Sequence, residues 1–262
     1  MKLKIAAVAV LALAAGSVGA WQSQEYKSGI PWSEPAKVEG AAVTTPPPSD
    51  AIVLFDGSGL DAWDGGQWVI NDDGSMTPRR GAIRTKQSFG DVQLHVEWMT
   101  PEGEEGRSGQ GKGNSGVFLM EKFEVQILDS FENTTYFDGQ AGALYKQSPP
   151  LVNASRAPGE WQSYDILFEA PHFDEGGKLE EPAYITVLHN GVVIQNRWAL
   201  KGNTDFNRPP AYHDTEMTGR ISLQDHGNPL RFRNIWVREL KLSDAERQEG
   251  DAAGSPSTMP AR

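Results

Sequence analysis

The stretch GVFLMEKFEVQIL, residues 116–128, predicts an antiparallel β-hairpin and decides the fold class. Two short apolar-rich runs, residues 116–120 and 123–128, flank a charged turn at Glu121 and Lys122. A turn of this kind between two strand-like runs is the usual sequence signature of a hairpin.

The second run of the hairpin alternates apolar and polar residues. Side chains two residues apart on a strand project from the same face, so Glu124 and Gln126 share one face while Val125 and Ile127 enter the core. Two polar groups on one face are also what an ordinary solvated sheet face shows. The alternation alone leaves both interpretations open.

Similar short runs fill most of the chain between residues 51 and 242. Asn190-Gly191 joins two of them and is a strong hairpin signal, because a type I′ turn needs positive φ at both positions. No segment longer than a few turns has helical periodicity. We therefore predict an all-β, two-sheet antiparallel sandwich or jelly roll, with further strands at residues 52–55, 92–99, 161–169, 183–189, 192–196, 219–224 and 232–240.

The first 20 residues have the pattern of a cleavable signal peptide. Lys2 and Lys4 precede an uncharged apolar run over residues 5–15, and small residues follow up to Ala20, where we expect cleavage. That run is too short for a membrane helix, which needs about 20 residues. A buried N-terminal helix is the alternative. We expect a periplasmic or secreted protein.

Composition divides the rest of the chain and limits its chemistry. Residues 21–50 and 243–262 are rich in Pro, Ser and small residues, which predicts a disordered linker and a disordered tail around one domain over residues 51–242. The absence of cysteine excludes disulfides and thiol chemistry. A net charge of -11 without a basic cluster argues against nucleic acid as a partner. Beyond the signal peptide, no segment is long and apolar enough to predict a membrane span.

A second polar segment follows the predicted strand over residues 219–224. Asp225 and His226 stand at the end of this strand beside a glycine, and an imidazole suits proton transfer near neutral pH. The alternative is a plain turn in which Asp225 bonds backbone amides and His226 is exposed. Arg231 and Arg233 share one face of the next strand, where they could pair with a carboxylate or hold an oxyanion.

Two glycine-containing loops are expected to border a binding cleft. The loop GRSGQGKGNS, residues 106–115, lacks the spacing of a phosphate-binding loop and ends at Asn114 and Ser115. A later loop, residues 142–150, can place Tyr145 and Lys146 over the same cleft. Each of these side chains could equally be a solvated rim residue. Of the eight Trp, most are expected in the core, while one or two exposed aromatic rings would suit a sugar ring.

Several of these segments together resemble the 3-keto-disaccharide hydrolase family over residues 52–240. The segments that carry the resemblance include LFDG at residues 54–57, NSGVF at 114–118, EVQILDS at 124–130, and LQDHG with FRNI between residues 223 and 235. The resemblance implies a concanavalin A-like jelly roll that acts on glycosides oxidised to a ketone at C3. Such a ketone acidifies the C2 proton, so a base can start a β-elimination at C1, and water then adds to complete a net hydrolysis.

The resemblance also suggests roles for particular residues. We assign proton transfer to His226 with Glu124 as its carboxylate counterpart, and substrate binding to Gln126, Asp225, Arg231, Lys146, Tyr145 and Asn114. Cofactor use stays open: a divalent metal is an alternative, with ligands taken from Glu97, Glu124, Asp225 and His226. The predicted partner is a carbohydrate, an oxidised glucoside or disaccharide. A lectin-like carbohydrate-binding module and a structural envelope protein are the competing functions.

Overall fold

All the predicted strands are present with nearly the predicted bounds, but the structure adds strands that sequence reasoning missed, the longest of them over residues 63–70 and 76–89. The computed structural model describes residues 24–41, 44–104 and 106–242, so the predicted signal peptide and tail lie outside the described residues. None of its helices is long and apolar enough to cross a membrane, within the residues described. The strands are β1 (Ala36–Lys37), β2 (Ile52–Phe55), β3 (Trp63–Ile70), β4 (Met76–Phe89), β5 (Val92–Met99), β6 (Ser115–Leu119), β7 (Phe123–Ile127), β8 (Val152–Asn153), β9 (Gln162–Glu169), β10 (His172–Phe173), β11 (Leu179–Glu181), β12 (Tyr184–His189), β13 (Val192–Ala199), β14 (Gly219–Leu223) and β15 (Arg231–Glu239).

Eleven of these strands pair into one curled antiparallel sheet. The strand order is β13-β12-β9-β5-β15-β4-β14-β6-β7, with β2 added beside β15 and β3 beside β4. The two ends of this order fold over each other, because Phe123 on β7 packs against Phe168 on β9 with 5.5 Å between ring centroids. The Tyr164 hydroxyl on β9 also donates to the Gln126 carbonyl, at 2.7 Å. The fold is therefore a two-layer antiparallel sandwich of the jelly-roll class, which confirms the predicted fold class.

Both hairpins predicted from turn residues are present. Asn190 and Gly191 join β12 to β13 with φ of 52° and 78°, which is the positive-φ pair that a type I′ turn requires. In the β6–β7 hairpin, Leu119 pairs with Phe123, so the connection has three residues. Its positive-φ residues are Met120 and Glu121, one position earlier than the predicted turn.

Side chains along β7 alternate between the apolar core and a polar face of the sheet. Val125 and Ile127 are fully buried in the apolar core, together with Val117 from β6. Burying such side chains contributes about 1.5–3 kcal/mol each. Glu124 and Gln126 project from the opposite face, as predicted from their spacing, and define the side of the sheet on which polar chemistry is possible.

The described part of the proline-rich segment lies against the sandwich. β1 pairs in parallel with β8, the Tyr26 N–H donates to the Phe206 carbonyl at 2.7 Å, and Glu25 forms an ion pair with Lys146. Composition predicted a disordered linker here, since the segment has few apolar side chains to bury. The contacts differ from that expectation because they are backbone hydrogen bonds and an ion pair, which need no apolar burial.

Candidate functional site

A polar cleft of about 230 Å³ opens on the face of β6, β7 and β14. Phe118 lies opposite Glu124 and Gly116 opposite Gln126 in the β6–β7 ladder, so residues of one parity from both strands converge there. Five of the predicted site residues are brought together: Asn114, Glu124, Gln126, Tyr145 and His226. The remaining lining residues are Gln110, Phe118, Thr204, Asp205, Phe206 and Gln224.

Glu124 is the most unusual group in this polar cleft. Its residue is only 5 % exposed, and among the described residues no side chain or amide is hydrogen-bonded to its carboxyl group. Burial disfavours the ionised form and raises the pKa of Glu124 to about 8. A carboxyl group with a pKa near the working pH can both accept and donate a proton, which is the property a general acid–base catalyst requires.

The Glu124 carboxyl group has its position because residue 116 is a glycine. A Cβ atom added at Gly116 would lie 2.3 Å from the Glu124 Oε1 atom, far inside contact distance. The carboxyl group therefore occupies the space above the Gly116 Cα atom. The glycine in the NSGVF segment therefore leaves room for the Glu124 carboxyl group.

Replacing Gly116 with alanine is expected to displace the Glu124 carboxyl group and lower kcat/KM by about 10- to 100-fold, because small displacements of catalytic groups cost about this much. The fold should survive, since the clashing atom is the end of a flexible side chain. The measurement is steady-state kinetics with a thermal melt. In a Glu124→Gln background, Gly116→Ala should cause little further loss. Equal losses in both backgrounds would contradict this role.

A network of side-chain amides forms the floor beside Glu124. The Gln126 Nε2 atom donates to Gln110 Oε1 and to Asn114 Oδ1, both at 3.2 Å. Asn114 Nδ2 in turn donates to the Gln110 carbonyl at 2.7 Å. Because these three amides hold one another, Gln126 and Asn114 are fixed in orientation without any charged partner.

Tyr145, Gln224 and His226 supply further polar groups to the polar cleft. The Tyr145 hydroxyl lies 2.8 Å from the Tyr136 hydroxyl, and burial raises the pKa of Tyr145 to about 12, so Tyr145 is neutral at physiological pH. Gln224 Oε1 is buried without a hydrogen-bond partner among the described residues. His226 is exposed at the mouth of the polar cleft. The Tyr145 hydroxyl and the His226 ring are therefore available to a ligand, whereas Gln224 Oε1 is enclosed.

The segment before β14 adds three lining residues that sequence reasoning missed. Thr204 Oγ1 accepts the Glu124 N–H at 2.9 Å, and Phe206 is 47 % exposed, which leaves an aromatic face open to a ligand. Asp205 is a second carboxylate, but Arg208 pairs with it at 3.0 Å. The segment has no strand alternation, and its contact with β7 spans 80 residues, so no local signal indicates it.

Three predicted substrate-binding residues point elsewhere. The Asp225 carboxylate accepts the Gly81 and Gly227 N–H groups at 2.7 and 2.9 Å, which is the plain-turn alternative. Lys146 is buried against Glu25 and the Tyr136 ring instead of the polar cleft. Arg231 pairs with Asp73 and Ser75, because its strand β15 lies in the sheet between β5 and β4 instead of beside β14.

Glu97 belongs to a separate buried cluster in the other layer. Its carboxylate accepts from Arg233 at 2.7 Å and Asn234 at 2.8 Å, and it lies 3.5 Å from His95 Nε2. Burial by itself would raise the pKa of Glu97, but hydrogen bonds from His95, Asn234 and Arg233 lower it to about 2. On the other side of its ring, His95 Nδ1 lies 2.7 Å from Asp165 Oδ1. We call His95, Glu97, Asp165, Arg233 and Asn234 the ionic cluster.

The ionic cluster also overturns the proposed metal ligand set. Glu97 and Asp225 are both taken by protein donors, and Arg233 brings a positive charge to the carboxylate that a metal would need. Across the described ranges, no three His, Asp or Glu side chains come close enough to hold a metal ion. Glu97, Glu124, Asp225 and His226 therefore do not fit a common metal.

Comparisons with known proteins cover the whole sandwich. The model of the 3-keto-alpha-glucoside-1,2-lyase-like domain matches residues 50–238. A 3-keto-disaccharide hydrolase of Bacteroides thetaiotaomicron is 24 % identical over 290 residues, which covers 89 % of this chain and 96 % of that protein. The matched range includes every residue of the polar cleft.

Solved structures agree with this match. A candidate glycosyl hydrolase from Parabacteroides distasonis is 44 % identical with a TM-score of 0.70, covering 83 % of this chain and 95 % of that one. A second candidate glycosyl hydrolase from the same organism is 19 % identical with a TM-score of 0.52, covering 73 % of this chain and 95 % of the other. The second comparison supports the fold alone.

Proposed function

The chain belongs to the 3-keto-alpha-glucoside-1,2-lyase-like family, and from this premise we propose that it cleaves 3-keto-glycosides by β-elimination followed by hydration. Family membership and the 44 % identical candidate glycosyl hydrolase support a carbohydrate-active function. The observation that carries the finer proposal is the buried Glu124 carboxyl group, with its raised pKa, on the face of the polar cleft.

The reaction proceeds through an enolate. A base removes the C2 proton, and the C2–H electron pair enters the C2–C3 bond as the ketone oxygen becomes an enolate. When the ketone re-forms, the C1–O bond breaks, a C1–C2 double bond remains, and the departing oxygen takes a proton. Water then adds at C1 and a proton returns to C2, so the sum of the two stages is hydrolysis.

Glu124 is suited to the base role. A carboxylate whose conjugate acid has a pKa near 8 is a stronger base than an exposed one, and it needs that strength because a C–H bond α to a ketone is a weak acid. The base role predicts the direction in which kcat/KM changes with pH. With removal of the C2 proton as the slow step and protonation of the departing oxygen after it, we expect kcat/KM to rise with pH as Glu124 ionises and to level off above about pH 8.

The other polar groups divide the remaining tasks. We assign protonation of the departing oxygen to His226, because it is an exposed imidazole that lines the polar cleft. Tyr145 is neutral and can donate its hydroxyl proton in a hydrogen bond to the enolate oxygen. The exposed ring of Phe206 offers an apolar face to the sugar. Asn114 and Gln126 keep the floor rigid.

The decisive experiment compares a 3-keto-glucoside with its unoxidised parent. We expect release of the aglycone from the ketone only, and a His226→Ala variant should lose about 10²- to 10⁴-fold in kcat. His172→Ala, on β10 away from the polar cleft, is the matched control and should retain wild-type activity.

Two further outcomes separate the alternatives. Binding of both sugars without turnover would instead indicate a lectin-like module and would reject the enzyme. A parallel assay in EDTA tests metal use, and we expect no loss, since no three His, Asp or Glu side chains of the described residues lie close enough to share a metal ion.

A further inference from the structure

A second and larger cavity lies beside the polar cleft. Its volume is about 620 Å³, within the range of about 300–1,000 Å³ typical of small-molecule sites. The walls come from the segment over residues 130–140 on one side and from the N-terminal segment over residues 34–37 with Asn153 on the other. We call this space the second cavity. It exists because the proline-rich segment is bound to the sandwich.

Neutral polar and aromatic side chains dominate the second cavity. The lining includes Ser130, Thr134, Thr135 and Gln140, together with Phe131, whose ring centroid lies 4.1 Å from Lys37 Nζ. Charges of both signs stand around it, so neither an anion nor a cation is favoured. Hydroxyl and amide groups beside an aromatic ring match a sugar, which offers many hydroxyl groups and apolar C–H faces.

Gln140 provides the specific evidence that the second cavity has a ligand. The residue is 5 % exposed, and its Oε1 atom has no hydrogen-bond partner among the described residues. Buried polar groups are nearly always paired in native proteins. By contrast, Ser130 and Asn153 in the same walls are already engaged, since the Ser130 hydroxyl accepts from the Ala141 N–H at 2.9 Å and Asn153 Nδ2 donates to the Ser130 carbonyl at 2.7 Å. Gln140 Oε1 is itself enclosed, so the Gln140 Nε2 atom, which donates to no acceptor among the described residues, is the group with capacity left for a ligand.

Gln110 connects the walls of the second cavity and the polar cleft. Its Nε2 atom donates to Thr135 Oγ1 at 3.1 Å, on the wall of the second cavity, while its Oε1 atom accepts from Gln126 at 3.2 Å, on the floor of the polar cleft. Gln110 therefore links a residue that lines one space to a residue that lines the other. A saccharide in one would lie close to a saccharide in the other.

We propose that the second cavity is a carbohydrate-binding site for a neutral saccharide unit, distinct from the polar cleft. The choice of carbohydrate rests on the carbohydrate-active family, but the site does not depend on the β-elimination mechanism. Its function is to hold a further part of a glycan or glycoside while the oxidised ring occupies the polar cleft.

The test is calorimetric titration of unoxidised trehalose, sucrose, maltose and cellobiose, up to about 10 mM because single sugar sites are often weak. NMR shift mapping would locate the contact. We expect at least one probe to bind with shifts at Thr134 and Gln140. Two variants should each weaken that binding at least tenfold: Gln140→Leu, which removes the amide, and Thr134→Trp, an exposed position that fills the space.

Controls separate this inference from the proposed function. Glu124→Gln should keep disaccharide binding in the second cavity while losing turnover, and Thr134→Trp should keep turnover of a methyl 3-keto-glucoside within twofold. If the protein binds a disaccharide in the second cavity but turns over no 3-keto-glucoside, the proposed enzymatic function is rejected and the second binding site is supported. The inference is overturned if no probe binds the wild type, if shifts map only to Glu124 and Gln126, or if both cavity variants bind normally.

Discussion

Replacing Glu124 with glutamine is expected to lower kcat/KM on a 3-keto-glucoside by about 10²- to 10⁴-fold, the usual contribution of a general base. Glutamine keeps the size and the burial of the side chain but can neither take up nor release the C2 proton. The residual activity should also lose the rise toward pH 8, because the group that causes it is gone. Steady-state kinetics across pH 5–10 measures both effects.

The same substitution should raise stability, in a pH-dependent way. The pKa of Glu124 is higher in the folded protein, about 8 against its ordinary value of 4.5, so the folded state holds the proton more tightly than the unfolded state. Wild-type stability therefore falls as pH rises from about 4.5 to 8. The advantage of Glu124→Gln should be small below pH 4.5 and greatest above pH 8, where the cited pKa values set a ceiling of about 5 kcal/mol.

Glu121→Gln is the matched control for Glu124→Gln. Glu121 lies in the same hairpin but is exposed, and it pairs with exposed Arg84 at 3.4 Å. Its replacement should change the free energy of unfolding by less than about 1 kcal/mol at any pH. Full turnover by Glu124→Gln would show that Glu124 is not the base. Stability of Glu124→Gln that is as pH-dependent as that of the wild type would show that the pKa of Glu124 is not raised by folding.

Replacing Glu97 with alanine is expected to cause the largest loss of stability, about 3 kcal/mol at pH 7, because it leaves the cation of Arg233 without its carboxylate. We take the lower end of the usual range for a broken buried pair, since the Arg233 side chain is 38 % exposed. His95 and Asn234 also lose their shared acceptor. Urea unfolding is the measurement.

The pH dependence of this effect has a definite sign. The pKa of Glu97 is lowered to about 2 in the folded protein, so its contribution is full above pH 4.5 and is lost as pH falls toward 2. Glu97→Ala should therefore remove part of the acid lability of the wild type. Glu239→Ala, at the exposed end of β15, is the control and should stay within about 0.5 kcal/mol.

Glu97→Ala also tests the placement of the ionic cluster outside the site. Below its melting temperature the variant should turn over substrate at near the wild-type rate. Loss of activity in a folded Glu97→Ala protein, restored by added divalent metal, would contradict that placement and return Glu97 to the role of a ligand.

Sequence alone determined the parts of this protein that depend on short-range geometry. The β-hairpin over residues 116–128 and the Asn190-Gly191 turn are local, and the alternation in β7 assigns Glu124 and Gln126 to one face whatever the strand pairs with. A side-chain period of two residues is fixed by the strand itself. For that reason the fold class and the centre of the polar cleft could be predicted.

Only the tertiary structure decided which distant segments complete the site. The curl of the sheet brings Thr204 to the β7 backbone, and the path of β15 takes Arg231 to Asp73 and Arg233 to Glu97 instead of Glu124. Parity says which face a side chain occupies, but not which strand lies beside it. Which strands become neighbours depends on how the two layers pack. The long-range contacts that determine this packing leave no periodic signal in the sequence.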